Sequence, residues 1–207
     1  WRADPGWTQR AALERARWDR YIDSLRSSNE EQPAYAQVVG VVNEQSNADD
    51  YVMTASGGLP GELVGGWRSR GTVANGPTMD VEYGFSCMGY ELSGAWGAAI
   101  ARARTHPAGV VTTLLGDGSY LMLNSEVFSA AFAGHPFVAV VCDNGGYAVI
   151  ARLQEDRGAA AHNNMLDTSR GPGAAAGLRV DFAAHAASLG ASVFAARSVS
   201  DLREMYD

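Results

Sequence analysis

Cysteine, long apolar runs and concentrated positive charge are all scarce in this sequence. Only two cysteines occur in 207 residues, Cys87 and Cys142, and they share no short pairing motif. A disulfide framework is therefore not expected, and a reducing compartment, by default the cytoplasm, is. Both cysteines stand among apolar neighbours and read as buried, inert thiols. Charged or polar residues interrupt every apolar run before about 18 residues, and nothing resembles a signal peptide, so no membrane association is expected. Lys and Arg form no stripe, and the net charge is −7, which argues against a nucleic-acid partner. There is no internal repeat. No G-x-G-x-x-G follows a strand-like run, and residues 117–128 lack the alternating ligands of a calcium loop.

What the sequence does hold is 24 glycines, five tryptophans and a 46% hydrophobic share, enough for one domain with a sizeable core. Residues 10–26 have helical spacing in Leu13, Trp18, Tyr21, Ile22 and Leu25 among many charges, which predicts a surface or linker helix. Residues 30–33 read as a break. Residues 35–44 predict a helix with Val38, Val41 and Val42 inward, though the valines leave a strand open. A short strand at 51–55 runs into a glycine-rich loop at 56–61, and a second is expected at 79–82. Residues 91–103 predict a helix whose Gly94 and Gly97 imply close packing on that side.

The runs at 109–115 and 137–142 are almost continuously apolar, the pattern of strands covered on both faces. Between them lies a helix carrying Val127, Phe128, Ala131 and Phe132, with Asn124 as its cap and Gly134 at its end. This strand–helix–strand unit predicts a parallel pair. Residues 155–178 read as a loop or lid, 181–189 as a helix and 191–195 as a short strand. Ser198 and Asp201 form a capping box before a last helix just begun. The alternation predicts an α/β fold: an open, mostly parallel sheet with helices on both faces.

Asp117 and Asn144 stand just past the two apolar strands, 27 positions apart. If those strands are neighbours, one sheet edge presents a carboxylate oxygen and an amide oxygen together, at the edge where open α/β folds bind ligands. The glycines at 145 and 146 let a backbone carbonyl turn inward as a third donor. Hard oxygen donors suit Mg2+ or Ca2+ and not Zn2+. Gly116 and Gly118 flank the aspartate, so a tight turn can aim the amides of Gly118, Ser119 and Tyr120 at an anion. A diphosphate could then be held by metal on one side and N–H groups on the other, without Lys or Arg. The four histidines show no metal-ligand spacing.

Gly116-Asp117-Gly118-Ser119 followed by Asp143-Asn144-Gly145-Gly146-Tyr147 resembles the signature of thiamine-diphosphate-dependent enzymes. The resemblance implies Mg2+ ligation by Asp117, Asn144 and the carbonyl of Gly146, with Gly116, Gly118 and Ser119 around the cofactor diphosphate. Aspartate 143 replaces the first asparagine of many members. Leu59-Pro60-Gly61-Glu62-Leu63, Glu82-Tyr83-Gly84-Phe85-Ser86-Cys87-Met88-Gly89-Tyr90-Glu91 and Arg152-Leu153-Gln154 are similar to the branch of that family that hydrolyses a ring C–C bond of a cyclic polyhydroxy 1,2-dione in inositol catabolism. In that branch a histidine is expected where Gly145 stands. The resemblance further implies that Met88 props the cofactor into a bent shape and that the carbonyl of Ser86 accepts a hydrogen bond from its amino group.

The same resemblance implies residues 33–207 as a thiamine diphosphate and Mg2+-binding domain with an incomplete C-terminal end, after a linker and surface helix at 1–32. The activating glutamate belongs in this family to a pyrimidine-binding domain, usually on another subunit, so a homodimer or homotetramer is expected and the 207-residue chain alone is expected to be inactive. Neither Glu91 nor Glu126 is a candidate for that glutamate. Two other readings stay open: an acetolactate-synthase-like or other thiamine-diphosphate lyase or decarboxylase, and a degenerate or regulatory cofactor-binding module.

Overall fold

A computed structural model describes residues 2–27, 32–160 and 162–206. Half of the break expected at residues 30–33 lies outside the described residues. The chain divides into two compact units: Trp1–Gln45, Glu62–Arg68 and Ala196–Asp207 form one, Ser46–Gly61 and Ser69–Ala195 the other.

The first unit is helical. α1 (Pro5–Arg26) starts at Asp4, whose carboxylate accepts the Gly6 amide at 2.6 Å, and buries only Ile22. α2 (Tyr35–Gln45) settles the ambiguity of its valines as a helix, with every residue from Ala36 to Asn43 buried. A helix apolar all round is a core helix, not a surface one. α1 is tied to residues 65–68 by polar contacts to backbone. Trp18 Nε1 donates to the Gly65 carbonyl and Arg26 to that of Gly66, both at 2.6 Å. The last helix, α10 (Val199–Glu204), has the expected capping box of Ser198 and Asp201 and buries Leu202.

The second unit carries the sheet. Its strands, among the described residues, are β1 (Tyr51–Thr54), β2 (Met79–Val81), β3 (Val111–Gly116) and β4 (Val138–Cys142), in the order β2-β1-β3-β4. All three pairings are parallel, as the strand–helix–strand reading requires. β3 is the most buried strand. Leu114 and Leu115 are fully buried, each removal from water contributing roughly 1.5–3 kcal/mol. Helices α4 (Tyr90–Thr105), α5 (Asp117–Met122), α6 (Ser125–Ala133), α7 (Ala148–Asp156), α8 (Pro172–Ala175) and α9 (Phe182–Ser188) complete this unit. The chain passes from this unit to the first within α3 (Leu59–Gly66). α4 packs Leu92, Ala95 and Ala99 into two apolar clusters, with Leu115 and Tyr120 in one and Met53 and Val111 in the other.

Several expectations need correction. β4 is less enclosed than expected: it is an edge strand, with Val138 38% exposed. Residues 191–195 form no strand. Val193 and Phe194 are exposed there, so no ladder covers the open side of β4. The loop at 56–61 is shorter than expected, because Leu59 and Leu63 bury one side of α3. Asn124 stands at the start of α6 but is in helical geometry and turns its amide back to the Leu121 carbonyl, so it does not cap. Gly134 does end α6, at φ 71°. Gly94 is tightly packed, since a Cβ there would meet Met53 and Tyr90 within 2.9 Å, whereas Gly97 faces open space. Among the described residues no helix is long and apolar enough to cross a membrane.

Candidate functional site

β3 and β4 run side by side in the same direction, and their last registered pair is Gly116 with Cys142. Asp117 and Asn144 follow one and two residues beyond that pair, on strands spaced about 4.8 Å apart. The chain turns differently after each strand. After β3 it enters α5 at once, with Gly116 as the N-cap and Asp117 as the first helical residue. The expected tight turn is therefore a helix start. The amides of Gly118 and Ser119 lie in its first turn, where N–H groups lack intrahelical acceptors, while that of Tyr120 is directed back to the Gly116 carbonyl. After β4, Asp143 accepts the Gly145 amide through Oδ1 at 3.0 Å, a side-chain-closed turn. Asp143 shapes the turn from outside, and Asn144 Oδ1 is withdrawn from solvent.

Asp117 is 4% exposed. Burial pushes its carboxyl above the ordinary range and Asp143 adds to this, while the amides of Gly118, Gly146 and Asp117 itself pull the other way. Gly146 is thereby brought to the same carboxylate. Among the described residues no cationic side chain is found acting on Asp117. A buried acid whose charged form is disfavoured, beside the turn that carries Asn144 and Gly146, is one that a hard divalent cation would relieve. Among the described residues no group of three or more His, Cys, Asp and Glu side chains could hold a metal. The candidate donors here are one carboxylate, one carboxamide and one carbonyl, a different kind of set.

Space around the glycines fits a ligand on one side only. A Cβ added at Gly116 or Gly145 would meet nothing within 4 Å. At Gly118 it would come within 2.6 Å of the Tyr147 ring and 3.1 Å of the Met88 methyl, and at Gly146 it would run into the Asn164 carbonyl. Met88 thus stands against the start of α5, half-buried, in the loop that joins β2 to α4. Ser86 in that loop has φ 53°, the left-handed region rare for a residue with a side chain. Glu82 closes the loop, accepting the amides of Phe85 at 3.0 Å and Cys87 at 3.1 Å. Those amides hold its carboxyl below the ordinary range, against the effect of burial.

The turn after β4 is held from above by residues expected to form a lid. Tyr147 N–H donates to the Asn164 carbonyl at 2.7 Å, and Leu166 N–H to that of Gly145 at 2.8 Å. Gln154, on α7, accepts from the His162 amide and from the Asn164 side chain. His162 itself is exposed. Sequence reasoning missed α7, although its Arg152-Leu153-Gln154 segment was part of the resemblance. It also missed the pairing of Tyr120 with His185, whose Nδ1 lies 3.0 Å from the phenol oxygen. Ser119 is buried and its hydroxyl is engaged with that of Ser56 at 2.9 Å. Of the two cysteines, Cys142 comes nearer its expectation and is half-buried. Burial, with a contribution from Asp117, pushes its thiol up to about 12. Cys87 is exposed, because its loop uses the Cys87 amide and not its side chain.

A cleft of about 390 Å3 lies elsewhere, lined by Tyr51, Asp80, Tyr90, Ser93 and Gly97 among others. None of Asp117, Asn144 or Gly146 borders it.

Comparison with known proteins gives the chain's family. The chain is 35% identical over 189 residues to 3D-(3,5/4)-trihydroxycyclohexane-1,2-dione hydrolase 1 of Bacillus cereus, covering 89% of this chain and 27% of that protein. It is 33% identical to the enzyme of the same name from Bacillus anthracis, with the same coverage. The chain therefore spans about a quarter of the length of these relatives. Among solved structures, benzoylformate decarboxylase from Polynucleobacter necessarius matches with a TM-score of 0.66 at 19% identity, over 86% of this chain and 32% of that one. A thiamine diphosphate-dependent 4-hydroxybenzoylformate decarboxylase from Rhodococcus jostii matches equally, at 21% identity over 86% and 30%. At such identities these two show the shared fold. The model of the thiamine pyrophosphate enzyme C-terminal TPP-binding domain matches residues 65–207, more than half of the chain, and the chain belongs to that family.

Proposed function

We propose that this chain binds the diphosphate of thiamine diphosphate through Mg2+ held by Asp117, Asn144 and the Gly146 carbonyl, as part of an enzyme that hydrolyses a C–C bond of a cyclic polyhydroxy 1,2-dione. The observation that carries the reading is Asp117: a buried carboxylate at the end of β3, raised in affinity for its proton, with no cationic side chain found acting on it among the described residues, beside the turn that carries Asn144 and Gly146. Bound thiamine diphosphate supplies a nucleophilic carbon and an electron sink for cleavage next to a carbonyl.

The chain's own residues bind and orient. Asp117 and its two oxygen partners would hold the metal, whose charge offsets that of the diphosphate, and the Ser119 amide at the start of α5 would add an N–H donor, that of Gly118 being turned to Asp117. The open space beside Gly116 and Gly145 admits the ligand. Ser86, in its left-handed conformation, and Met88, against Gly118, stand where the rest of the cofactor would bend over the helix start. Gln154 holds the His162 amide and the Asn164 side chain beside the turn after β4.

The cyclic dione as substrate rests on the similarity to the dione hydrolases, which spans 89% of this chain. A pyrimidine-binding domain with the activating glutamate, supplied by a second copy in a homodimer or homotetramer, completes the site. The test is an assay of the intact protein with thiamine diphosphate and Mg2+ on the cyclic dione and, in parallel, on pyruvate. Hydrolysis of the dione is the expected result, with no turnover by the 207-residue chain alone. Turnover of pyruvate instead moves the protein to the lyases and decarboxylases, and turnover of neither supports a regulatory module.

A further inference from the structure

Glu91 is the most deeply buried acid of the second unit, at 0% exposed, and the site as described makes no use of it. It is the second residue of α4, and three donors converge on its carboxylate. One oxygen accepts the Ser56 amide at 3.0 Å and the Ser56 hydroxyl at 2.9 Å, and the other accepts the Gly89 amide at 2.9 Å. The 16-residue helix behind it adds the favourable field of its N-terminus.

The donors come from separate pieces of the site. Ser56 follows β1, and Gly89 follows Met88. The Ser56 hydroxyl donates to Glu91, which commits its one proton there. The Ser119 hydroxyl, 2.9 Å from Ser56 Oγ, must then be the donor to it. Hydrogen bonds therefore run in one direction, from Ser119 through Ser56 to Glu91, and a second arm reaches the methionine loop. Gly89 is fixed on its other side as well. Its φ is 95°, and a Cβ there would come within 2.9 Å of Leu123.

We infer that Glu91 is a positioning residue, which locks the Ser86–Met88 loop and the start of α5 into one geometry by holding the Gly89 amide and the Ser119–Ser56 hydroxyl relay on a single buried carboxylate. The inference rests on the functional reading above, because it assigns the two locked pieces to opposite parts of one cofactor. Replacing Glu91 with an apolar residue would bury the Ser56 and Gly89 amides without acceptors. The near-isosteric E91Q is more informative, since an amide nitrogen in place of one oxygen sets donor against donor on one arm.

The test combines hydrogen exchange on the cofactor-free intact protein with calorimetric titration of thiamine diphosphate and Mg2+. In E91Q, exchange at Gly89 or Ser56 should accelerate by at least about tenfold, and cofactor affinity should fall by about tenfold or more. S56A removes only the hydroxyl arm and keeps the protein testable if E91Q does not fold. It should leave Gly89 exchange at the wild-type rate and still weaken cofactor binding. Wild-type exchange at both amides in E91Q overturns the anchoring, and wild-type affinity in S56A overturns the relay to Ser119. Failure of the wild-type protein to bind thiamine diphosphate overturns the functional reading and, with it, the assignment of the locked pieces to one cofactor.

Discussion

Gly116 and Cys142 face each other as the last registered pair of β3 and β4, which sets Asp117 and the turn carrying Asn144 and Gly146 side by side at one sheet edge. The amide of Gly146 acts on the Asp117 carboxylate, so the two strand ends meet electrostatically as well as in register.

Asp117 should cost the metal-free protein stability. Its carboxyl is raised by burial, so the folded state holds the proton more tightly than the unfolded chain does. The cost is absent below the ordinary carboxylate range and is fully present once pH has risen through the folded value. D117N should therefore melt higher than wild type at neutral pH without metal, and the difference should vanish in acid. Thermal melts across pH check this. A lower melting temperature for D117N at neutral pH would contradict the burial argument.

Two glycines of the site should respond oppositely to alanine. Gly146 sits at φ 141° against the Asn164 carbonyl, so G146A should destabilise by about 1–3 kcal/mol. Gly116 has φ −84° and open space beside it, so G116A should stay within about 0.5 kcal/mol of wild type. Denaturant titrations of both variants measure the contrast. In the cofactor titration G116A should bind more weakly, because its methyl enters that space.

Glu82 gives the Ser86 loop an acid sensitivity of the opposite sign. The amides of Phe85 and Cys87 depress its folded-state pKa, so its contribution is complete above the ordinary carboxylate range and is lost as pH falls through the depressed value. Exchange at Phe85 and Cys87, corrected for the intrinsic pH effect, should accelerate through that window in wild type. E82Q should expose one of the two amides at neutral pH.

In the helical unit, Ser198 accepts the Asp201 amide at 3.0 Å while Asp201 accepts that of Ser198 at 3.2 Å. S198A should cost about 1 kcal/mol, read by chemical denaturation. No effect would show that the Ser198 hydroxyl does not hold the start of α10.

The sequence carried most of this layout where the signal was local. The capping box before α10 and the glycine end of α6 came from residue chemistry within one turn. The β3–β4 pairing came from two apolar runs with one helix between them. What it could not carry was set by distance along the chain. β4 reads as doubly covered because its composition is apolar, and only the strand order shows it at an edge. Gly94 and Gly97 look alike in sequence, yet one meets Met53 and the other nothing. Glu91 was legible as an acid near a loop, but Ser56, which donates to it, and Ser119, which is bonded to Ser56, come from two other segments.

The central claim is tested most directly by calorimetric titration of thiamine diphosphate into the intact protein, with and without Mg2+, for wild type and D117A. Saturable binding that requires Mg2+ and weakens by more than about tenfold in D117A is predicted. Metal-independent binding, or equal affinity in a folded D117A, would contradict it.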